Sequence, residues 1–221
     1  MRHSPITLDA MRPRRIIYTG AMGRWEPDAR GRLLNAAVDL FAAQGYDATT
    51  AAQIAAHAGL TKATLFRHFA DKREILFQGQ DELVALAADG VAAAPSDSDP
   101  FELLRSAVLL LCTAHPAERR GTARRVTAIL ETSAELRERA AAKRATITST
   151  LHAGLTQRLG DARRAGILAD GGIRAYYEGF DSWVDARGEQ SLADVVDVEL
   201  VAFRTGLADL AAVPFGTAAA R

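Results

Sequence analysis

The stretch Thr49–Lys72, TTAAQIAAHAGLTKATLFRHFADK, decides how the rest of the chain is read. Thr50-x-x-Gln53 is a capping box: the hydroxyl accepts a first-turn amide and the carboxamide reaches back to the cap. It opens a short helix that buries Ile54 and Ala55. Gly59 closes that helix in the left-handed conformation that glycine adopts at little cost. Thr61 then caps a second short helix, on which Leu65 and Phe69, four apart, share the inward face. Two short helices across a glycine turn form a helix-turn-helix, whose second helix fits the DNA major groove.

With Leu65 and Phe69 turned inward, Lys62, Ala63, Phe66 and Arg67 face outward. Lys62 and Arg67 can donate to guanine edges or phosphates, and Ala63 or Phe66 can touch a thymine methyl. Thr64 can reach a base edge or a phosphate. Thr50 and Thr61 stand at helix N-termini, where open amides and the dipole favour a phosphate oxygen. His68 and Lys72, at the far end, suit phosphate clamps. Taken singly, each has an ordinary explanation: a solvated charge, a core phenylalanine, a helix cap. Their joint spacing carries the argument.

Composition agrees with this reading. The chain has 221 residues, 48% hydrophobic but only 6% aromatic, and few strand-like alternations. An all-α protein built mostly from Ala, Leu and Val is expected. Net charge is zero, yet residues 1–75 carry 11 Lys and Arg against 7 Asp and Glu. A basic N-terminal part on a neutral chain is the footprint of a local nucleic-acid surface. Cys112 is the only cysteine, so no intrachain disulfide can form and a reducing cytoplasm is the expected setting. The longest apolar run, Ala107–Ala114, is too short to span a bilayer, and the N-terminus lacks the apolar segment of a secretory signal.

Residues 1–25, with arginines at 2, 12, 14, 15 and 24, read as a disordered basic leader. The alternatives are a basic arm on the DNA, or a start at Met11 or Met22. The helix-turn-helix domain is assigned to 26–75, with its first helix opening at Glu26-Pro27-Asp28 and ending at Gly45. Asp71-x-x-Glu74 is expected to open a fourth helix running to about Asp89. Residues 92–99, AAAPSDSD, read as a connector. Further helices are expected from Asp99 to His115-Pro116, around Arg119–Leu130, from Ser133 to Gly160, over about 163–187 and over about 192–211. Gly171-Gly172 leaves open a break in the eighth. About nine helices result, with residues 76–213 forming a helical bundle and 214–221 a flexible tail.

Residues 23–77 resemble the N-terminal domain of the tetracycline-repressor (TetR) family. The likeness runs through Phe41-x-x-x-Gly45-Tyr46, Thr49-Thr50, Ile54-Ala55 and Ala58-Gly59-Leu60 to Thr64-Leu65-Phe66 and His68-Phe69-x-x-Lys72. It covers about a quarter of the chain; beyond it only the helix count agrees. The resemblance implies a homodimer binding double-stranded DNA at a palindromic operator, with a small ligand in the C-terminal half altering DNA affinity. Repression with ligand-triggered release is the default it implies. The family commonly has Tyr where Phe66 stands, so the phosphate bond of that hydroxyl is lost here. Lys62, Thr64 and Arg67 are then the readers.

In the C-terminal half, Gly171, Ala175 and Gly179 form a small-residue stripe that lets another helix approach. Around it Tyr176, Phe180 and Trp183, with Val196, Phe203 and Leu207 on the ninth helix, give apolar surface wider than one stripe. These nine residues are expected at a four-helix dimer interface. Polar groups beside apolar stripes, namely Cys112, His115, Thr127, Ser149 and His152, are candidates for an effector pocket, joined by Thr113, Thr146 and Thr148. The apolar helices favour a hydrophobic or aromatic effector. No phosphate-binding loop, dinucleotide glycine motif, nucleophile elbow or metal-ligand spacing is present, so no enzyme activity, cofactor or metal is expected. The competing reading is a dimeric helical adaptor of the same fold without specific DNA binding.

Overall fold

The computed structural model describes residues 28–212. The expected leader over 1–25, the start at Glu26-Pro27 and the tail from Pro214 lie outside the described residues. Within them every regular element is helical: α1 Ala29–Gln44, α2 Ala51–His57, α3 Lys62–His68, α4 Gln80–Ala93, α5 Pro100–Leu111, α6 Arg120–Leu130, α7 Ala134–Leu159, α8 Ala162–Asp185 and α9 Leu192–Ala212.

The local signals act where expected. Asp28 caps α1 by accepting the Gly31 amide at 2.9 Å. The Thr50–Gln53 box is reciprocal, Thr61 accepts the Thr64 amide, and Gly59 has φ +66°. Asp99 Oδ1 accepts the amides of Phe101 and Glu102 ahead of Pro100 in the first turn. Gly160 ends α7 with φ +68°.

The fourth helix differs. Asp71 Oδ1 does accept the Glu74 amide at 2.9 Å, but the chain then runs through turns to Gly79, whose φ is +89°. α4 begins only at Gln80 and extends to Ala93. The physical reason is tertiary packing. Ile75, Leu76 and Phe77, three residues in a row, are all buried in the first apolar cluster, which a single helix face cannot achieve, while Glu74 turns to Arg139 of α7.

The eighth helix passes unbroken through Gly171-Gly172. Both glycines are sites of close approach: a Cβ on Gly171 would strike the Phe203 ring, and one on Gly172 would meet Leu104 Cδ1 at 2.5 Å. Packing, not a break, explains the pair.

Two apolar clusters hold the chain. The first joins Leu33, Phe41, Ile54, Leu65, Phe69 and Ile75–Phe77 to Ile129 of α6 and Leu136 of α7. The second gathers α4, α5, α8 and α9 around Leu104, Leu111, Ile147, Leu151, Tyr176, Trp183 and Leu200. α7 therefore contributes to both. Among the described residues no helix is long and apolar enough to cross a membrane.

Among the described glycines the closest approach to another helix's backbone is at Gly90 of α4, where a Cβ would stand 2.5 Å from the Ala107 Cα. Backbone cannot yield as a side chain can. Gly90→Val should lower the unfolding free energy by about 1–3 kcal/mol, read as a lower urea midpoint with an unchanged slope.

Candidate functional site

The helix-turn-helix presents one outer face. Leu65 is buried and Phe69 nearly so, which orients α3 as the four-residue spacing requires. Lys62, Ala63, Phe66 and Arg67 are exposed and Thr64 is half-buried. Phe66, at 46% exposure, is not a core residue, and the Lys62 ammonium lies 5.7 Å from its ring centroid. Thr50 and Thr61 are exposed at their helix starts. Their hydroxyls are already engaged, Thr50 with Gln53 and Thr61 with the amide and hydroxyl of Thr64.

Lys72 is placed differently from its expected role as a phosphate clamp. Its ammonium donates to the carbonyls of Tyr46 at 2.6 Å and Thr49 at 2.9 Å and lies 4.2 Å from the Tyr46 ring centroid. The reason is local: α1 and α2 leave carbonyls in the 46–49 loop without helical partners, and a cation satisfies several at once. Lys72 pins the loop that aims α2. His68 is half-buried against Phe69, and burial together with Arg67 and Arg30 lowers its pKa. That shift disfavours the charged form that a phosphate clamp would use.

Two positioning residues carry no sequence motif. Buried Thr49 donates to the Gly45 carbonyl at 2.7 Å and accepts from Gln44 Nε2 at 3.0 Å, sealing the end of α1. Arg32 of α1 donates to the Ala58 carbonyl and so fixes the α2–α3 turn. A Cβ on Gly59 would lie 2.8 Å from that guanidinium, a second reason for glycine there.

The expected effector residues do not all converge. Cys112 is buried, its thiol pushed up to about 12 by burial and directed at the Val108 carbonyl. His115 stands 5.0 Å ring to ring from Phe180 and 6.4 Å from Tyr176, and burial with Arg119 and Lys143 pushes its pKa down to about 4. The Tyr176 hydroxyl is buried without a hydrogen-bond partner, an arrangement that costs about 1–3 kcal/mol unless something fills it. By contrast Ser149 is exposed, and His152 Nε2 bonds the Ala162 carbonyl at the α7–α8 turn. Thr127 is half-buried on α6. Thr113, Thr146 and Thr148 bond carbonyls three or four residues back, as helical hydroxyls commonly do. Only Cys112 and His115 lie with the inner aromatic cluster. Tyr176, assigned from the sequence to a dimer face, belongs there too.

The expected dimer face is likewise redistributed. Ala175, Tyr176, Gly179, Trp183 and Val196 are buried within the single chain. The small-residue stripe of α8 receives α9 of the same chain: a Cβ on Gly179 would meet the Val196 Cα at 2.9 Å, and Phe203 covers Gly171. Phe180 and Phe203 are half-buried in the same core, and Leu207 alone of the nine is exposed. The apolar width of α8 reflects contact with α5, α6, α7 and α9 together, which a stripe argument for one neighbour could not resolve. The apolar surface left open is mainly on α9, at Val198 (67% exposed), Val201 and Leu210 (73%), with Ile167 on α8.

A polar seam joins the two clusters. Along α7, Glu135, Arg139 and Lys143 occur every four residues and meet the segment that follows α3. Glu135 accepts from Arg73 at 3.2 Å and from the Tyr46 hydroxyl at 3.3 Å. Arg139 pairs bidentately with Glu74 at 2.8 and 2.9 Å, and holds its carboxyl below the usual carboxylate range. Lys143 donates to the Phe77 carbonyl at 2.8 Å. On the other side Arg125 of α6 pairs with Asp39 of α1 at 2.6 Å. A cleft of about 240 Å³ lies at this seam, lined by Arg30, His68, Phe69, Glu74, Phe77 and Arg139 among others.

Lys72→Met keeps the chain length of the side chain but strips the loop carbonyls of their charged donor. It should cost about 1–3 kcal/mol of stability, measured by urea denaturation without DNA present; an unchanged midpoint would return Lys72 to the role of surface charge.

Comparison with known proteins places this geometry. Residues 33–78 match the family model described as bacterial regulatory proteins, tetR family. A curated relative, the HTH-type transcriptional regulator TcmR of Streptomyces glaucescens, is 32% identical over 78 residues, covering 35% of this chain and 34% of its own. The match thus spans about a third of that relative's length. Among solved structures, the fatty acid degradation regulator FadR from Bacillus halodurans is similar at 21% identity and a TM-score of 0.54, over 84% of this chain and 98% of its own. The Thermus thermophilus FadR, a TetR-family repressor solved with lauroyl-CoA, is similar at 19% identity and a TM-score of 0.52, over 87% and 100%. These two likenesses establish the fold. Residues 33–78 are thus similar in sequence to the helix-turn-helix domain of the tetR family of bacterial regulatory proteins, and the all-helical architecture is similar to that of the two FadR structures.

Proposed function

We propose that the protein is a ligand-responsive transcriptional regulator that binds a palindromic DNA operator as a homodimer and leaves it when an effector enters the C-terminal helices. The observation that carries this reading is the outer face of α3. Lys62, Ala63, Phe66 and Arg67 are exposed while Leu65 and Phe69 anchor the helix, so the side chains able to read bases are those left uncovered. Thr64 reaches a base edge or phosphate from the same helix. The phosphate contacts fall to the starts of α2 and α3, beside Thr50 and Thr61, with His68 as a further hydrogen-bond donor.

A single module of this size holds DNA weakly. Two modules about 34 Å apart meet half-sites one helical turn away and gain affinity through effective concentration. The second copy docks against the open outer face of α9, at Val198, Val201 and Leu210, where apolar surface continues beyond the intrachain packing. An effector acts only by binding one arrangement of the two modules more tightly than another, with a coupling of about 1–3 kcal/mol. The seam through α7 and α6, more than α4 alone, is the element it would bias.

A salt titration of binding to DNA from upstream of the coding region tests the assignment. Affinity should fall steeply with salt. Lys62→Ala and Arg67→Ala should each weaken binding, and each phosphate contact removed should flatten the slope by about one. Equal affinity for upstream and random DNA would favour the adaptor reading instead.

In sedimentation, Val198→Glu with Val201→Glu should convert a dimer into a folded monomer, and DNA affinity should drop with it. A dimer that persists in this variant would move the interface away from α9.

A further inference from the structure

Lys72 is drawn into the 46–49 loop, which leaves the far end of the recognition helix without the cation expected there. A cation from another helix stands at that end. Arg30, exposed in the first turn of α1, lays its guanidinium over the Phe69 ring, 4.7 Å from the centroid. Phe69 is the C-cap of α3, and the His68 ring lies 6.4 Å from it, centroid to centroid. Arg30, His68 and Phe69 together line the cleft at the α7 seam.

This guanidinium is held in place without being neutralised. Phe69 is buried in the first apolar cluster, so the plane on which the guanidinium rests is fixed. A ring face attracts a cation but leaves its charge intact. The acids nearby are turned elsewhere. Asp28 accepts the Gly31 amide at 2.9 Å, and Glu74, which also lines the cleft, pairs with Arg139 at 2.8 and 2.9 Å. Asp81 on the same cleft is exposed, and among the described residues no carboxylate forms an ion pair with Arg30. Burial first, then Arg67 and Arg30, lower the His68 pKa, in keeping with a positive potential at this end of α3.

In a helix-turn-helix the first residues of the recognition helix reach the bases, and phosphate contacts set its register on the duplex. A planar guanidinium suits a phosphate well, because two of its N–H groups can meet two oxygens at once. We propose that Arg30 is a clamp for the DNA backbone: seated on Phe69, it donates to one phosphate at the mouth of the cleft, beside His68, and takes the role that Lys72 gives up. The inference rests on the regulator reading and adds to its DNA contacts a residue of α1, outside the two helices of the motif. Backbone contact carries no base preference, so Arg30 supplies affinity and leaves the choice of sequence to the outer face of α3. Phe69 anchors both α3 and the clamp, which ties the phosphate contact to the orientation of the reading face.

The test is binding of the full chain to two duplexes, one from upstream of the coding region and one of random sequence, titrated with potassium chloride. Arg30→Met and Arg30→Gln, each first shown to melt cooperatively, remove the charge while leaving a long side chain over Phe69. Each should flatten the slope of log K against log salt by about one and weaken both duplexes by the same factor, about three- to tenfold at low salt. Arg30→Lys should restore the slope, because it returns the charge, while Lys72→Met should leave the slope as in wild type. A slope unchanged in both neutral variants, a loss confined to the upstream duplex, or a slope that Arg30→Lys fails to restore would overturn the proposal. So would a slope that falls with Lys72→Met alone. Equal wild-type affinity for the two duplexes, with the slope still set by Arg30, would instead sink the regulator reading and leave the clamp standing. A wild-type protein that binds neither duplex sinks both.

Discussion

The Arg139–Glu74 pair, two parallel hydrogen bonds between α7 and the segment after α3, ties the helix-turn-helix to the body of the molecule. It sits at the centre of a row in which Glu135, Arg139 and Lys143 each seize a different group on residues 73–77. A bidentate guanidinium–carboxylate pair fixes angle as well as distance. Around it the apolar contacts are continuous, because Ile129 and Leu136 enter the same cluster as Leu65 and Phe69. The orientation of α3 is therefore a property of α7 as much as of its own short segment.

That dependence follows from size. Helices of seven residues, as α2 and α3 are, cannot hold themselves in water, since nucleation is unfavourable and only a turn or two of bonds is gained. Caps supply part of the deficit: the Thr50–Gln53 box and Thr61 satisfy otherwise open amides. Burial supplies the rest, with α1 beneath and α6 and α7 behind. Charged side chains from outside the motif, Lys72 and Arg32, close the loop carbonyls on either side of α2. An element that leaves one face open to solvent is thus secured on its other sides.

The body beyond α7 obeys a different constraint, close approach. Gly90 brings α4 and α5, and Gly179 brings α8 and α9, within backbone contact, Gly172 admits the Leu104 side chain, and Trp183 and Tyr176 are buried beside them. Filling it this way leaves the Tyr176 hydroxyl unpartnered, and an aromatic core with one unmet polar group differs chemically from a purely apolar one. The outer face of α9 keeps apolar residues that the chain itself does not cover.

How much was legible follows the range of the interactions. Local chemistry could be read directly: the capping box at Thr50, glycine at 59 and 160, Asp99 before Pro100, and Leu65 and Phe69 as anchors four apart all depend on neighbours in sequence. The all-helical class and the helix-turn-helix face were settled on that basis. What tertiary structure decided depends on partners far along the chain. Glu74 turned to Arg139, 65 residues away, and Ile75–Phe77 all entered the cluster shared with α6 and α7, so a cap at Asp71 led into turns and not a helix. Lys72 bent back to carbonyls about 25 residues earlier. Ser149 and His152 shared a helix with the inner cluster's neighbours but faced away from it. The stripe Gly171, Ala175 and Gly179 correctly announced a close helix, yet spacing cannot say whether that helix belongs to a second copy or to the same chain. Periodicity gives each helix a face; only the packed fold supplies the surface that covers it.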